Sequence, residues 1–198
     1  MRRLTYLVAT TLDGLIAGPG GGDPTGPAGF FDVPRDYIDF LVEKYPETLP
    51  TPVRAALGVT GPGLVFDTVV MGRRTFGIGA DAGLPDAYAH LRTIVFSRSL
   101  GPCVEPNVEV MAADPVTAIR ALKQEDGAGI WLAGGALLAE TLAEEIDEIV
   151  VKVNPVVARA GTALFAGPFA PMRLERTDVA LIPSGTVVLS YRKVSDGV

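Results

Sequence analysis

"VVMGRRTFGIG", residues Val69–Gly79, decides how the rest of the chain is read. A short apolar, β-branched run ends on a glycine; two adjacent arginines and a threonine follow before the pattern turns helical. The run reads as a buried strand, and Gly72-Arg73-Arg74-Thr75 reads as a strand-to-helix turn. An ordinary exposed strand end needs only polar residues. Here the unpaired N–H groups of a helix start coincide with two guanidinium groups, a combination suited to an anion such as phosphate.

Working outward, the same arrangement recurs. "RTIVFSRS" (Arg92–Ser99) leads a strand into Ser97-Arg98-Ser99, and "GIWLAGG" (Gly129–Gly135) leads one into Gly134-Gly135-Ala136 and the helical "ALLAETLAEE". Further strands are expected over Leu4–Thr10, Leu64–Gly72, Asn107–Ala113 and Ile146–Val157, all short and β-branched. "GPGGGDPTGPAG" (Gly18–Gly29) is too rich in Gly and Pro for a regular element.

A first helix is expected after a capping Asp32, with Pro34 in its first turn and Tyr37, Phe40, Leu41 and Tyr45 on one face. Shorter helices are expected over Pro52–Leu57, after Gly72 and near Ala87–Leu91. A clear one runs from Asp114 to Gln124, where Pro115 follows the cap and Val116, Ile119, Ala121 and Leu122 face inward. The tail reads as a hairpin, Met172–Ile182 and Thr186–Val194 about the turn "PSG". Strands alternating with helices imply an α/β fold: a mostly parallel sheet, helices on both faces and an antiparallel C-terminal hairpin. Without repeat or dividing linker, residues 1–198 read as a single domain.

Ligands of open α/β sheets bind outside the carboxyl ends of the strands. Taken singly, a glycine pair is a tight turn and an arginine pair a solvated face. Three such turns on one sheet edge describe a site for a phosphorylated dinucleotide. The common nucleotide fingerprints are missing: "GPGGGD" (Gly18–Asp23) lacks the last glycine of G-x-G-x-x-G, and neither G-x-x-x-x-G-K-[ST] nor G-x-S-x-G occurs.

Composition narrows the classes further. The chain has 198 residues, 48% hydrophobic and 20% charged, with a net charge of −6, so nucleic acid is not an expected partner. Cys103 and His90 are the single cysteine and histidine, which removes disulfides and leaves no usual metal set. A reducing, cytoplasmic setting fits. The opening "MRRLTYLVATTLDGLIAGPG" imitates a secretory signal but is broken by Thr10, Thr11 and Asp13. No run approaches the ~18 apolar residues of a membrane span. Trp131 reads as strand core, His90 as a surface residue and Cys103 as a loop residue.

The order of these motifs resembles the dihydrofolate reductase-like proteins, specifically the group with the reductase domain of the bifunctional riboflavin-biosynthesis deaminase-reductase. The matching residues are "ATTLDGLIA" (Ala9–Ala17), "VVMGRRTF" (Val69–Phe76), "IVFSRS" (Ile94–Ser99), "IWLAGGALLAETLAEEIDEIVVKVNPVV" (Ile130–Val157) and "AGTALF" (Ala160–Phe165), spanning nearly the whole chain. The resemblance implies a three-layer α/β/α fold on a twisted sheet of about eight strands. It implies NADPH as hydride donor, a small pterin- or ribityl-aminopyrimidine-like substrate and a homodimer.

By the same resemblance, Ala9 and Ile16 flank the nicotinamide. Gly72, Arg73, Arg74 and Thr75 receive the pyrophosphate and the adenosine 2′-phosphate; Ser97 and Arg98 border the adenosine. Gly134, Gly135, Ala136 and Leu137 form the glycine turn under the pyrophosphate. The arginines then favour NADPH over NADH, because only NADPH carries the extra phosphate. Three acids are catalytic candidates. Asp13 lies in the family's T-L-D-G pattern, although an Asp before Gly is also a turn former. Asp36 and Asp39, beside Phe40 on the first helix, would bind substrate and assist protonation, or else are solvated. The chain departs from the riboflavin reductases at Ala133, where they commonly carry an acid before the glycine pair. The alternative function is a non-catalytic nucleotide-binding or dimerisation module of the same fold.

Overall fold

A computed structural model describes residues 1–194, so the last four residues of the expected 1–198 domain lie outside the described ones. The β-branched runs form β1 (Leu4–Thr10), β3 (Phe66–Gly72), β4 (Arg92–Phe96), β5 (Val108–Met111), β6 (Gly129–Gly134) and β7 (Glu148–Val153). The tail forms β9 (Leu174–Leu181) and β10 (Val187–Lys193), and two short strands, β2 (Leu15–Ala17) and β8 (Thr162–Ala163), pair apart from the rest. The helices are α1 (Arg35–Lys44), α2 (Thr51–Ala56), α3 (Arg73–Asp81), α4 (Pro115–Gln124) and α5 (Ala136–Thr141).

Eight strands form one sheet in the order β5-β4-β3-β6-β1-β7-β10-β9. Pairs from β5 to β7 are parallel. The β7–β10 and β10–β9 pairs are antiparallel, which gives the expected C-terminal hairpin. Alternation along the strands builds a core on each face. Leu4, Tyr6, Val70, Ile94, Ile130 and Leu132 meet Ile119 and Leu122 of α4 and Leu138 of α5. On the other face, Leu7, Val69, Met71, Val95, Trp131 and Val150 meet Tyr37 and Leu41 of α1. Trp131 is strand core as read, its indole N–H donating to the Leu7 carbonyl at 3.0 Å.

Several local expectations change. The N-cap of α1 is Pro34, with no side-chain cap, so Asp32 stands outside the helix. Residues 87–91 form turns instead of a helix, because distant groups claim their carbonyls: Thr51 N–H donates to Ala87 and the Asn107 amide to Ala89. Asp114 does cap α4, accepting from Thr117 N–H at 2.9 Å, but Ala121 is exposed. At ~100° per residue it lies opposite Ile119, while Leu122 and Lys123 share the buried stripe.

His90, read as a surface residue, is half-buried. Its Nε2 faces the Glu47 carbonyl oxygen at 2.9 Å and so carries the proton, leaving Nδ1 to accept the Thr51 hydroxyl at 2.8 Å. Glu47 is completely buried, and its carboxylate accepts the N–H groups of Leu64, Val65 and Phe66 at 3.1, 2.7 and 2.7 Å. That knot fixes the entry into β3 and therefore where β3 ends.

Candidate functional site

Because β4, β3, β6 and β1 are parallel neighbours, their carboxyl ends lie side by side. Gly72 ends β3 in extended geometry (φ −83°, ψ 164°) and is the N-cap of α3 with no side-chain cap bond. After β4, the Ser97 hydroxyl accepts the N–H groups of Ser99 and Leu100 at 3.2 and 2.9 Å, folding the turn on itself. Arg73 Nη1 donates to the Ser99 hydroxyl at 3.4 Å, joining the two turns.

The turn after β6 comes to the same place. Met71 pairs with Gly134, which has φ +121°, and the Gly134–Gly135 peptide is cis. A β-carbon on Gly134 or Gly135 would sit 3.8 or 3.7 Å from the Thr75 hydroxyl, so the glycine pair lies directly against the first turn of α3. Gly135 is the N-cap of α5, again without a side-chain cap; Ala136 is buried and Leu137 exposed. Arg73, Arg74 and Arg98 are exposed, and among the described residues none of them is in an ion pair. Beside Ser97 and Arg98 opens a cleft of ≈ 280 Å³ with Leu100, Pro102, Cys103, Val108 and Val110 in its walls.

The remaining expected residues stand on the β1 side. Ala9 is half-buried near the end of β1, paired with Lys152 of β7. Ile16 is half-buried on β2, which pairs with β8 and folds back over this corner. Asp13 lies in the turn between β1 and β2. Its carboxylate accepts Ala158 N–H at 3.1 Å and Arg159 N–H at 2.8 Å, and a Thr11 hydrogen bond together with these amides holds its pKa below the usual value.

Asp36, in the first turn of α1, accepts Ser184 N–H at 2.7 Å and Tyr37 N–H at 2.9 Å. Desolvation pushes its carboxyl up, but the hydrogen bonds from Ser184 and Tyr37 outweigh it and hold the pKa down. It thereby ties α1 to the β9–β10 turn. Asp39 is exposed and pairs with Arg35 at 2.8 Å. The structure thus gathers the residues expected around the phosphates, whereas the acids of α1 have partners of their own.

One functional candidate escaped the sequence reading. Lys152 is 8% exposed and lies over the Tyr37 ring, 5.7 Å from its centroid. Next to it, buried Asn154 donates to the carbonyls of Thr10 at 3.3 Å and Lys152 at 3.2 Å, locking the ends of β1 and β7 together. A lysine at an inward-facing position of an otherwise β-branched strand was the available signal.

Among the described residues no helix is long and apolar enough to cross a membrane. No family model matches the chain. It is 30% identical over 168 residues to the protein YwjB of Bacillus subtilis, covering 83% of this chain and 84% of that one. With YyaP of the same organism it shares 26% over 204 residues, covering 96% and 94%. Among solved structures, a candidate riboflavin biosynthesis protein from Shewanella sp. superposes with a TM-score of 0.68 at 18% identity, over 98% of this chain and 100% of that one. Dihydrofolate reductase from Enterococcus faecalis, complexed with NADP(H), gives 0.64 at 18%, over 98% and 97%. A diaminohydroxyphosphoribosylaminopyrimidine deaminase/5-amino-6-(5-phosphoribosylamino)uracil reductase from Thermotoga maritima gives 0.61 at 16%, over 98% of this chain and 57% of the longer protein. With the sheet order and turn geometry above, these likenesses place the chain in the family of Bacillus subtilis YwjB, built on the dihydrofolate reductase-like fold.

Proposed function

We propose that the protein is an NADPH-dependent reductase acting on a small heterocycle of the pterin or ribityl-aminopyrimidine kind. The observation that carries this reading is the junction of three turns at one sheet edge, with Arg73 reaching Ser99 and Thr75 lying against Gly134 and Gly135. Gly72 and Gly135 bring no side-chain cap, so N–H groups after both are left for a ligand. A β-carbon on Gly72 would meet nothing within 4 Å, so its backbone is open to close approach. These features fit a dinucleotide with an added phosphate.

Bound there, the nicotinamide would supply a hydride to an electrophilic carbon of the substrate. The chain supplies position and charge. The amides of Gly72–Thr75 and Gly134–Leu137 hold the pyrophosphate, and Arg73 and Arg74 take the 2′-phosphate by forked hydrogen bonds. Ser97 and Arg98 border the adenosine, whose flat ring suits the apolar walls of the adjoining cleft. Ala9 and Ile16 flank the nicotinamide. Asp13 and Asp36 anchor the walls of the site through the amides they accept, and the proton comes from water or from the acidic face of α1. The resident partners in this reading are the small substrate and a second copy along the exposed β9 edge, in the cytoplasm.

The test is titration with NADPH and NADH, followed by emission of the single tryptophan and by thermal midpoint. NADPH binds more tightly and raises the midpoint as mass action requires; equal binding of the two coenzymes would remove the reading. The engagement of Asp36 and Asp39 by other groups favours a second reading, a nucleotide-binding module without turnover. Consumption of NADPH with pterins, dihydrofolate or ribityl-aminopyrimidines separates the two.

A further inference from the structure

We propose that Lys152 sets the substrate class: it holds an oxygen acceptor, a ring carbonyl or a carboxylate, and turns away protonated ring nitrogens. This deepens the reductase reading and rests on it. Two lysines of the chain are equally withdrawn from water, Lys123 at 5% and Lys152 at 8% exposure. Lys123 is satisfied, donating to the Glu145 carbonyl at 2.6 Å and pairing with Asp147 at 2.7 Å. Lys152 has no hydrogen-bond acceptor and no ion pair among the described residues; its contact is the face of Tyr37. One ring face satisfies none of the three N–H donors of the ammonium, which are left to water or to a ligand.

The ammonium is not sealed in. The closed-off side-chain atoms without partners are Arg54 Nη1, Asp86 Oδ1 and Thr93 Oγ1, and Lys152 Nζ is not among them. Its place is decisive. Lys152 pairs with Ala9 on one side and Val188 on the other, so its side chain leaves the same sheet face as Ala9, under α1. That is where a substrate beside the nicotinamide would lie. Of the α1 carboxylates, Asp36 is engaged by the Ser184 and Tyr37 amides, and Asp39, about 200° round the helix from Tyr37, is exposed and paired with Arg35. Just before β10, Thr186 donates to Asn154 instead. Among these groups the unpaired charge beside Ala9 is therefore positive, and it attracts an oxygen acceptor while opposing a cationic amidine edge.

The experiment compares orotate, an anionic pyrimidinedione, with 2,4-diaminopyrimidine, a basic pyrimidine without ring carbonyls, in calorimetric titrations of the intact protein saturated with NADP⁺. Wild type prefers orotate by at least roughly tenfold; Lys152→Gln abolishes the preference, Lys152→Arg keeps it, and NADP⁺ affinity stays within about twofold throughout. Lys152→Met, unbranched and similar in length, replaces the glutamine variant if that one does not fold. A wild-type protein without the preference, or a preference that survives loss of the charge, overturns the proposal. If NADP⁺ itself does not bind, the reductase reading falls, and the same orotate comparison without coenzyme decides Lys152 separately.

Discussion

Arg73 Nη1 donates to the hydroxyl of Ser99 at 3.4 Å, so the first residue of α3 reaches across to the turn that follows the neighbouring strand β4. Through this contact, two segments separated by a whole helix and strand act as one wall, and Thr75 joins the glycine pair to it from beneath.

Replacement of Arg73 and Arg74 by alanine therefore removes forked donors to the 2′-phosphate while leaving the amides of both turns intact. Charge-assisted hydrogen bonds contribute about 1.5–3 kcal/mol each, so loss of one from each arginine should weaken NADPH binding by roughly a hundred- to ten-thousandfold. NADH binding should change little. Fluorescence titration of both coenzymes checks this, and a parallel loss for NADH would contradict the assignment.

Gly134→Ala tests the backbone of the glycine turn. With φ at +121° the position strains any side chain, although the nearest atom, the Thr75 hydroxyl, is a comfortable 3.8 Å from where the β-carbon would stand. A cost of about 1–2 kcal/mol is expected, seen by calorimetry as a midpoint lower by roughly 2–8 °C. Coenzyme binding should weaken as well, because the added methyl enters the space between the two helix starts.

Much of this site was legible because its signals are local. A β-branched run ending in Gly-Arg-Arg-Thr announces a strand, a turn and a charge within a few residues, and the parallel order of such units follows from alternation. The acids of α1 were legible only as types. That Asp36 is claimed by Ser184 depends on a hairpin turn folding back from the far end of the chain, and no spacing encodes it. The short β2–β8 pair was missed for the same reason: Leu15 and Ala163 meet across most of the sequence, each in a run too brief to show a period. Lys152 hid in a strand that reads as core, where its neighbours Val151 and Val153 set the pattern.

Glu47→Ala should be destabilising, although Glu47 lies at the opposite end of β3 from Gly72. The substitution orphans the buried amide of Phe66, at a cost of about 1–3 kcal/mol, and takes the carboxylate from the amides of the exposed Leu64 and Val65. The thermal midpoint should fall by at least roughly 2–12 °C. A drop smaller than about 2 °C would show that the loop before β3 finds other partners.

His90 gives a pH dependence of known sign. Desolvation, helped by the charge of Arg54, pushes its pKa below the ordinary 6.5, so the folded protein takes up this proton less readily than the unfolded chain. The stability it contributes is complete above the unfolded pKa and is lost as pH falls through the lower, folded one. The melting temperature should be flat near pH 8 and decline as pH falls below about 6.5, and His90→Gln should flatten that decline. As the single histidine, its proton resonances report the midpoint directly, expected below 6.5.

Both neighbours of β1 in the sheet are remote: Leu4 pairs with Ile130, and Thr5 with Trp131 and Glu148. On the ribosome, β1 emerges well before either partner and must wait, oily and unpaired, until β6 and β7 have followed. Chaperone attendance on the nascent chain, and slow refolding after dilution from denaturant, are the natural companions of that architecture.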